Sequence, residues 1–246
     1  MRKYLILMLF TGFVKAGFAQ SDTLHVYGPG GPYSAVSACA VAFTTKTGIP
    51  VKVVAGPEEK WITSAQQNAD IIFEGAEYML TLFDQQHPGI TDPSTRSELY
   101  KRAVAILVRP GNPKHIKGLA DLAKPGIKVL DVNGAGQLGL WEDLAGRDNL
   151  IAGIQKNIAG SFPDTALGID AWKKNSSYDV WITYASWHEN LWDATDIVRL
   201  PSNQVLYRGT PLAITAKSMH RKQALDFVHY MQGNEGHQIF RRWGWE

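Results

Sequence analysis

The sequence predicts an α/β protein in which short strands form parallel sheets with helices on their faces. Two observations carry that prediction. Short β-rich runs alternate with amphipathic helical stretches along most of the chain, the order left by successive strand–helix–strand units. Glycine-rich loops repeatedly follow the strands, which is where open α/β sheets place their ligand-binding loops. The 246 residues are 45% hydrophobic and 20% charged, which excludes disordered, collagenous and coiled-coil chains. That length is enough for two lobes of about 100 residues each.

Taken in order, residues 23–27 (TLHVY) read as the first strand, GPGGP as a turn, and the helix after it runs to about Lys46. Gly48 ends that helix and residues 50–54 form the second strand. After the loop AGPEE comes a helix at 60–68, then a third strand at 70–73 (DIIF), and EGAEYM opens the next helix. Three strand–loop–helix units make half of a doubly wound sheet. Residues 103–108 (AVAILV) are purely apolar and end at Arg109-Pro-Gly-Asn-Pro. A second set follows: helix 119–122, strand 128–132, the loop NGAGQ, and a helix to about Ala145. Residues 150–158 read as helical, followed by a helix at 166–173 and a strand at 179–184 (DVWITY). Residues 211–215 (PLAIT) read as a strand, and 221–231 as a helix with Leu225, Val228 and Met231 on its apolar face.

Net charge is +2. Residues 1–19 hold Arg2, Lys3 and Lys15 and no acid, so 25 basic side chains less those three leaves 22 against 23 acidic ones. A near-neutral chain has no general electrostatic reason to bind nucleic acid or an anionic membrane. The basic start, the apolar stretch 4–14 and Gly17-Phe18-Ala19 read as an export signal cut between Ala19 and Gln20. That stretch is shorter than the roughly 18 residues of a spanning helix. No later one approaches that length, so the mature chain is expected to have no membrane span. Gln20 in place of cysteine excludes a lipid anchor at the cut. Cys39 has no partner for a disulfide or a zinc site and is expected to be a buried helical residue, which suits a periplasmic protein held by its core.

Gly28, Gly30 and Gly31 follow the first strand, Gly56 the second, Gly75 the third, and Gly134, Gly136 and Gly139 the strand KVLDV. Helix N-termini there offer unpaired N–H groups and a positive dipole end, and glycine lets the backbone approach a ligand. Gly134-Ala-Gly-Gln-Leu-Gly139 matches the dinucleotide fingerprint literally, but NLIAGIQKNI downstream supplies no second strand ending in an acid. GPGG lacks the Lys-Ser/Thr of a P-loop. Ser34 either caps its helix or offers its hydroxyl to a ligand. Lys60 and Trp61 follow the second loop. Glu77 and Glu142 either serve helix dipoles or face the cleft, where they favour a ligand with an amino or hydroxyl group. No nucleophile elbow, zinc-protease motif or metal-ligand spacing is present. Ser186 and His188, two residues apart, fall on different faces of a helix. The expectation is a protein that is not an enzyme and uses no metal or cofactor.

VYGPGGPY, AGPEEKW, FEGAEYM, LVRPGNP, VNGAGQLGLWED and the tail FRRWGW together resemble the accessory colonization factor C family, over nearly the whole mature chain. Its members are periplasmic solute-binding proteins related to the sulfate and molybdate receptors of ABC transporters. The resemblance implies a type II periplasmic-binding fold: signal peptide 1–19, lobe one 20–104, lobe two 105–206, and a return to lobe one over 207–246. The segments 103–108 and 207–213 would be the two crossings. It further implies a ligand held by Gly30, Gly31, Tyr33, Ser34, Gly75 and Ala76 from one lobe and Asn133, Gly134, Ala135, Gly136 and Gln137 from the other. Tyr184 would close the site. Gly75-Ala76-Glu77 stands where the molybdate receptors have a serine, which leaves room for sulfate-like or carboxylate ligands. Arg208 is a counter-charge candidate or a strand-edge surface arginine. The implied function is a monomeric periplasmic receptor that passes a small anion to a permease or sensor. The alternatives are a receptor for an amino acid or sugar acid, an adhesion or colonisation accessory protein binding an envelope or host component, and an exported hydrolase.

Overall fold

The computed structural model describes residues 23–246; the expected signal 1–19 and its cleavage site lie outside the described residues. Strand β1 (Leu24–Gly28) runs into the GPGG turn and helix α1 (Tyr33–Thr47). Gly48, at φ 76°, ends α1 by donating its N–H to Thr44 O, the left-handed stop that glycine provides without steric cost. Strand β2 (Val51–Ala55), a 3-10 turn (Glu58–Lys60), α2 (Ile62–Asn68), β3 (Ile71–Phe73), α3 (Glu77–Gln86) and the short β4 (Ser97–Glu98) follow. The chain then crosses at residues 99–101 into β5 (Arg102–Val108), α4 (Leu119–Leu122), β6 (Val129–Val132), a 3-10 turn (Ala135–Gln137) and α5 (Leu140–Arg147). Next come α6 (Ile151–Gln155), β7 (Ile158–Phe162), α7 (Thr165–Lys174), β8 (Val180–Tyr184), α8 (Ser186–Asn190), β9 (Asp196–Arg199) and β10 (Tyr207–Arg208). A second crossing at 209–210 leads back to β11 (Pro211–Ile214), α9 (Arg221–Gln232) and α10 (Asn234–Arg242).

The strands form two sheets. One has the order β2-β1-β3-β11-β4, with β1 parallel to β2 and β3, and β11 antiparallel to β3 and β4. The other has the order β10-β5-β8-β6-β7, with β9 also on β5; β6 is parallel to β7 and β8, while β5 runs antiparallel to its neighbours. Both sheets are therefore mixed rather than purely parallel. The antiparallel members β5 and β11 are the strands that directly follow a crossing. Leu24, Val26, Phe43, Phe227 and Phe240 centre the first lobe's core, with Cys39 fully buried among them and its thiol pushed up to about 12 by that burial. Ile106, Leu130, Trp172, Trp181 and Tyr184 centre the second lobe's core. The C-terminal helices α9 and α10 pack on α1.

Four local expectations need correction. Residues 103–108 are not a crossing but the heart of the second sheet: every residue of β5 is buried and it pairs with β8, β9 and β10. The apolar run reflects burial on both faces. Residues 150–158 are not one helix. α6 stops at Gln155 and Ile158 begins β7, whose Gly160 and small Ser161 carry a weak strand signal. Contrary to the expectation of no second strand ending in an acid, β7 does follow NGAGQLG with Asp164 after it, and that acid is engaged as the cap of α7, accepting the Leu167 N–H at 2.9 Å. Finally, Leu225 is half-exposed, and α9 instead buries Ala224, Phe227, Val228 and Met231.

Candidate functional site

A cavity of about 150 Å³ lies between the lobes, at the carboxyl ends of β1 and β3 and of β6 and β8. The first lobe contributes Pro29, Gly30, Gly31, Gly56, Pro57, Gly75 and Met79. The second contributes Ala135, Gly136, Gln137, Asp164, Thr165, Ala166, Ile169, Tyr184 and Trp187. Arg102, the first residue of β5, reaches into it from the crossing.

Arg102 organises this space. It is 2% exposed and makes no ion pair among the described residues. Nη2 donates to the Gly75 carbonyl at 2.7 Å, while Nε and Nη1 have no hydrogen-bond partner among the described residues. Its guanidinium carbon lies 3.8 Å from the Tyr184 ring centroid and 5.6 Å from that of Trp245, both within cation–π reach. Burial lowers its pKa from the usual guanidinium value, opposed by Tyr184, Tyr78 and Glu77; arginine nevertheless stays charged in proteins. A buried cation without its own carboxylate is costly unless an anion completes it.

The glycine loops close on this guanidinium. A Cβ on Gly31 would come 2.9 Å from Arg102 Nη1; one on Gly136 would come 3.1 Å from Nη2 and 3.3 Å from the Gly75 carbonyl oxygen. Glycine is needed there for close approach between lobes, more than for turn conformation. Ala135 is held at φ 47°, a left-handed conformation that costs a non-glycine residue about 1–2 kcal/mol. Its carbonyl accepts the Tyr78 hydroxyl from the opposite lobe, and the Gly136 carbonyl accepts that of Tyr184. One helix starts at the cavity. Asp164, Thr165 and Ala166 line the space, so the first turn of α7 and its positive dipole end face it, while on the opposite side the GPGG turn before α1 contributes Gly30 and Gly31. Gln137 donates to Thr165 Oγ1 at 2.9 Å, and its buried Oε1 has no partner among the described residues.

The expected site residues divide into two groups. Gly30, Gly31, Gly75, Ala135, Gly136, Gln137 and Tyr184 line the cavity. The others surround or support it. Tyr33 is exposed, and Ser34 neither caps α1 nor faces the cavity but bonds Asn190 Oδ1 across the cleft at 2.6 Å. Lys60 is exposed, whereas Trp61 is buried in the first lobe and donates to the Gly56 carbonyl at 3.1 Å. Ala76 is buried, and Glu77 accepts the Gly209 N–H at 2.7 Å, tying α3 to the second crossing. Asn133 pairs its N–H with Phe162 O, and Gly134 packs against the Pro163 carbonyl. Arg208, partly buried, reaches Asp143 at 3.4 Å and does not line the cavity. Glu142 does not line the cavity either.

Sequence reasoning missed Arg102, Asp164, Thr165, Ala166 and Trp187. For Asp164 the signal existed: an Asp-Thr pair before an apolar-periodic stretch is a helix start. For Arg102 the signal was slight, since a basic residue flanking an apolar run ordinarily reads as a solvated strand end. The described residues contain no grouping of three or more His, Cys, Asp or Glu able to hold a metal, and no helix long and apolar enough to cross a membrane.

A family model for bacterial extracellular solute-binding proteins matches residues 24–246. Among solved structures, Peb3 from Campylobacter jejuni is 30% identical, covering 91% of this chain and 99% of its own, with a TM-score of 0.83. A structure of PEB3 with bound L-phospholactate is 29% identical with the same coverage and a TM-score of 0.84. The sulfate-binding protein SubI from Mycobacterium tuberculosis is 20% identical, covering 91% of this chain and 86% of its own, with a TM-score of 0.73. The Azotobacter vinelandii periplasmic molybdate-binding protein is 16% identical, covering 91% of this chain and 98% of its own, with a TM-score of 0.69. A comparison with curated proteins found no match. With its two mixed sheets and double crossing it has the type II fold of the sulfate and molybdate receptors, and it belongs to the bacterial extracellular solute-binding proteins.

Proposed function

We propose that this protein captures a small anion between its lobes and delivers it to a membrane permease, acting as a periplasmic monomer after removal of residues 1–19. The observation that carries the reading is Arg102: a buried guanidinium with two N–H-bearing nitrogens unpartnered among the described residues, beside a cavity onto which the α7 N-terminus opens. An anionic group placed there would accept charge-assisted hydrogen bonds from Arg102 and backbone donors from the α7 start and the Gly30-Gly31 turn. Gly30, Gly31, Gly75, Ala135, Gly136, Gln137 and Tyr184 would shape the site, with Thr165 and Trp187 added to them. The similar proteins whose descriptions mention L-phospholactate, sulfate and molybdate support a small anion as the class.

The test is calorimetric titration and thermal shift with sulfate, L-phospholactate and other small oxyanions and carboxylates on parent and Arg102→Gln. Saturation at 100 times Kd stabilises by roughly 2.7 kcal/mol. Arg102→Gln should lose about 1.5–3 kcal/mol of binding, roughly one to two decades. Parent-like affinity in that variant would overturn Arg102 as the counter-charge; no anion binding to the parent would overturn the function.

A further inference from the structure

The last two residues of the chain reach both inter-lobe crossings. Glu246 donates its N–H to the Lys101 carbonyl, in the first crossing, at 2.8 Å. Trp245 donates its indole N–H to Thr210 Oγ1, in the second crossing, at 2.9 Å, and both of these side chains are buried. The Trp245 ring then lies within cation–π reach of Arg102, the residue next to Lys101. The tail is anchored in turn: Trp245 packs edge-on to Phe240 of α10, with centroids 5.8 Å apart, and its backbone N–H bonds the Phe240 carbonyl. Gly244, at φ 83°, makes the reversal that brings it there, and a Cβ on it would come 2.7 Å from the Cα of Ser186 at the start of α8. Thus the tail belongs to the first lobe's core, touches the second lobe, and bonds to both strands of the hinge.

A buried indole N–H needs an acceptor in any case, and Trp245 takes its acceptor from a crossing rather than from the first lobe's core. We propose that Trp245 and Thr210 are positioning residues, through which the C-terminal tail brackets the two crossings and holds the Arg102 guanidinium in its cavity orientation. This rests on the reading of Arg102 as the anion's counter-charge. The physical logic is a shared fastening. Tyr184 and the Gly75 carbonyl set the guanidinium from the cavity side. Trp245 sets it from the hinge side, so a change in the hinge is felt where the anion binds.

The experiment measures the Arg102 side-chain Nε–H signal by nitrogen-15 NMR in ligand-free protein, together with hydrogen exchange of residues 99–101 and 209–210. Thr210→Val removes the acceptor with little change of volume. Trp245→Leu removes the ring, and Trp245→Phe restores a ring without the N–H. The expected result is a displaced Arg102 signal and at least tenfold faster exchange at the crossings in Thr210→Val and Trp245→Leu. In Trp245→Phe the Arg102 signal should move back toward the parent while the crossings still exchange faster. An Arg102 signal superimposable on the parent's in both Thr210→Val and Trp245→Leu would overturn the inference. Should Trp245→Leu fail to fold, Thr210→Val alone decides. Because these readouts need no ligand, their outcome is separate from anion titration of Arg102→Gln, which tests the counter-charge itself.

Discussion

Arg102 and Glu74 are both almost fully buried beside the cleft, and they meet that burial in opposite ways. Arginine cannot shed its charge, so the fold surrounds it with two aromatic rings and a carbonyl. Glu74, 3% exposed at the end of β3, has an Oε2 with no hydrogen-bond partner among the described residues. Burial pushes its carboxyl up to about 8; Glu58 adds to the rise and the Gly75 amide opposes it. Below the usual glutamate range both folded and unfolded chains carry this proton. Above it, only the folded chain does, so stability falls as pH rises until the folded carboxyl ionises near 8. One proton of difference gives a slope of about 1.4 kcal/mol per pH unit. Glu74→Gln should therefore flatten urea-unfolding stability between pH 5 and 8 relative to the parent; equal slopes in the two proteins would show that Glu74 is ionised in the fold. Neither residue was legible as functional, because Arg102 borders an apolar run and Glu74 sits in FEGAE among loop residues. Burial is a property of the assembled lobes rather than of local pattern.

The elements that matter most are the loop after β6 and the start of α7. Gly134 and Gly136 lie two residues apart yet have different jobs. A Cβ on Gly134 would run into the Pro163 carbonyl, inside the second lobe, whereas one on Gly136 would enter the space between Arg102 and Gly75. Gly134→Ala should thus lower the melting temperature. Gly136→Val should leave the separate lobe folded but weaken any bound anion at least tenfold, because its branched side chain occupies the cavity. Thermal melts beside titrations of the two variants check this; matching profiles would show that the glycines share one role. The NGAGQ loop was readable from sequence because glycines spaced closely after a strand mark a backbone that must turn tightly or approach another group. The helix α7 was readable too, but the strand before it was not, because β7 carries only Ile158 and Phe162 as strong strand formers.

At the scale of the molecule, the two lobes meet among the described residues through few direct side-chain bonds: Ser34 to Asn190, Tyr78 to the Ala135 carbonyl, and Arg102 to the Gly75 carbonyl. Two short crossings allow hinge motion about this contact. Ser34→Ala removes a single bond worth about 1 kcal/mol, so apparent anion affinity should fall roughly fivefold and the ligand-free radius of gyration should rise. Small-angle scattering identical to the parent's would show that Ser34 does not hold the lobes together. Tryptophan fluorescence gives an independent view of closure. Trp61 and Trp141, each following a glycine loop in sequence, are sealed in separate cores, while Trp187 lines the cavity. The ligand-induced change should disappear in Trp187→Phe and persist in Trp61→Phe; the reverse result would place the bound group away from Trp187.

The sequence by itself determined the alternation of strands and helices and the glycine loops at the strand ends. Periodicity, turn chemistry and a family-wide pattern are local or linear, so they survive in one dimension. Tertiary structure alone decided three things. It made β5 a central strand rather than a crossing, because only pairing with β8, β9 and β10 shows what its apolar run packs against. It paired Arg208 with Asp143 and left Arg102 buried without an acid among the described residues. It also brought Trp245 and Glu246 against crossings more than 30 and 140 residues earlier in the chain. In each case the deciding quantity is which group lies beside a buried charge or strand, and that is fixed by lobe assembly rather than by the order of residues along the chain.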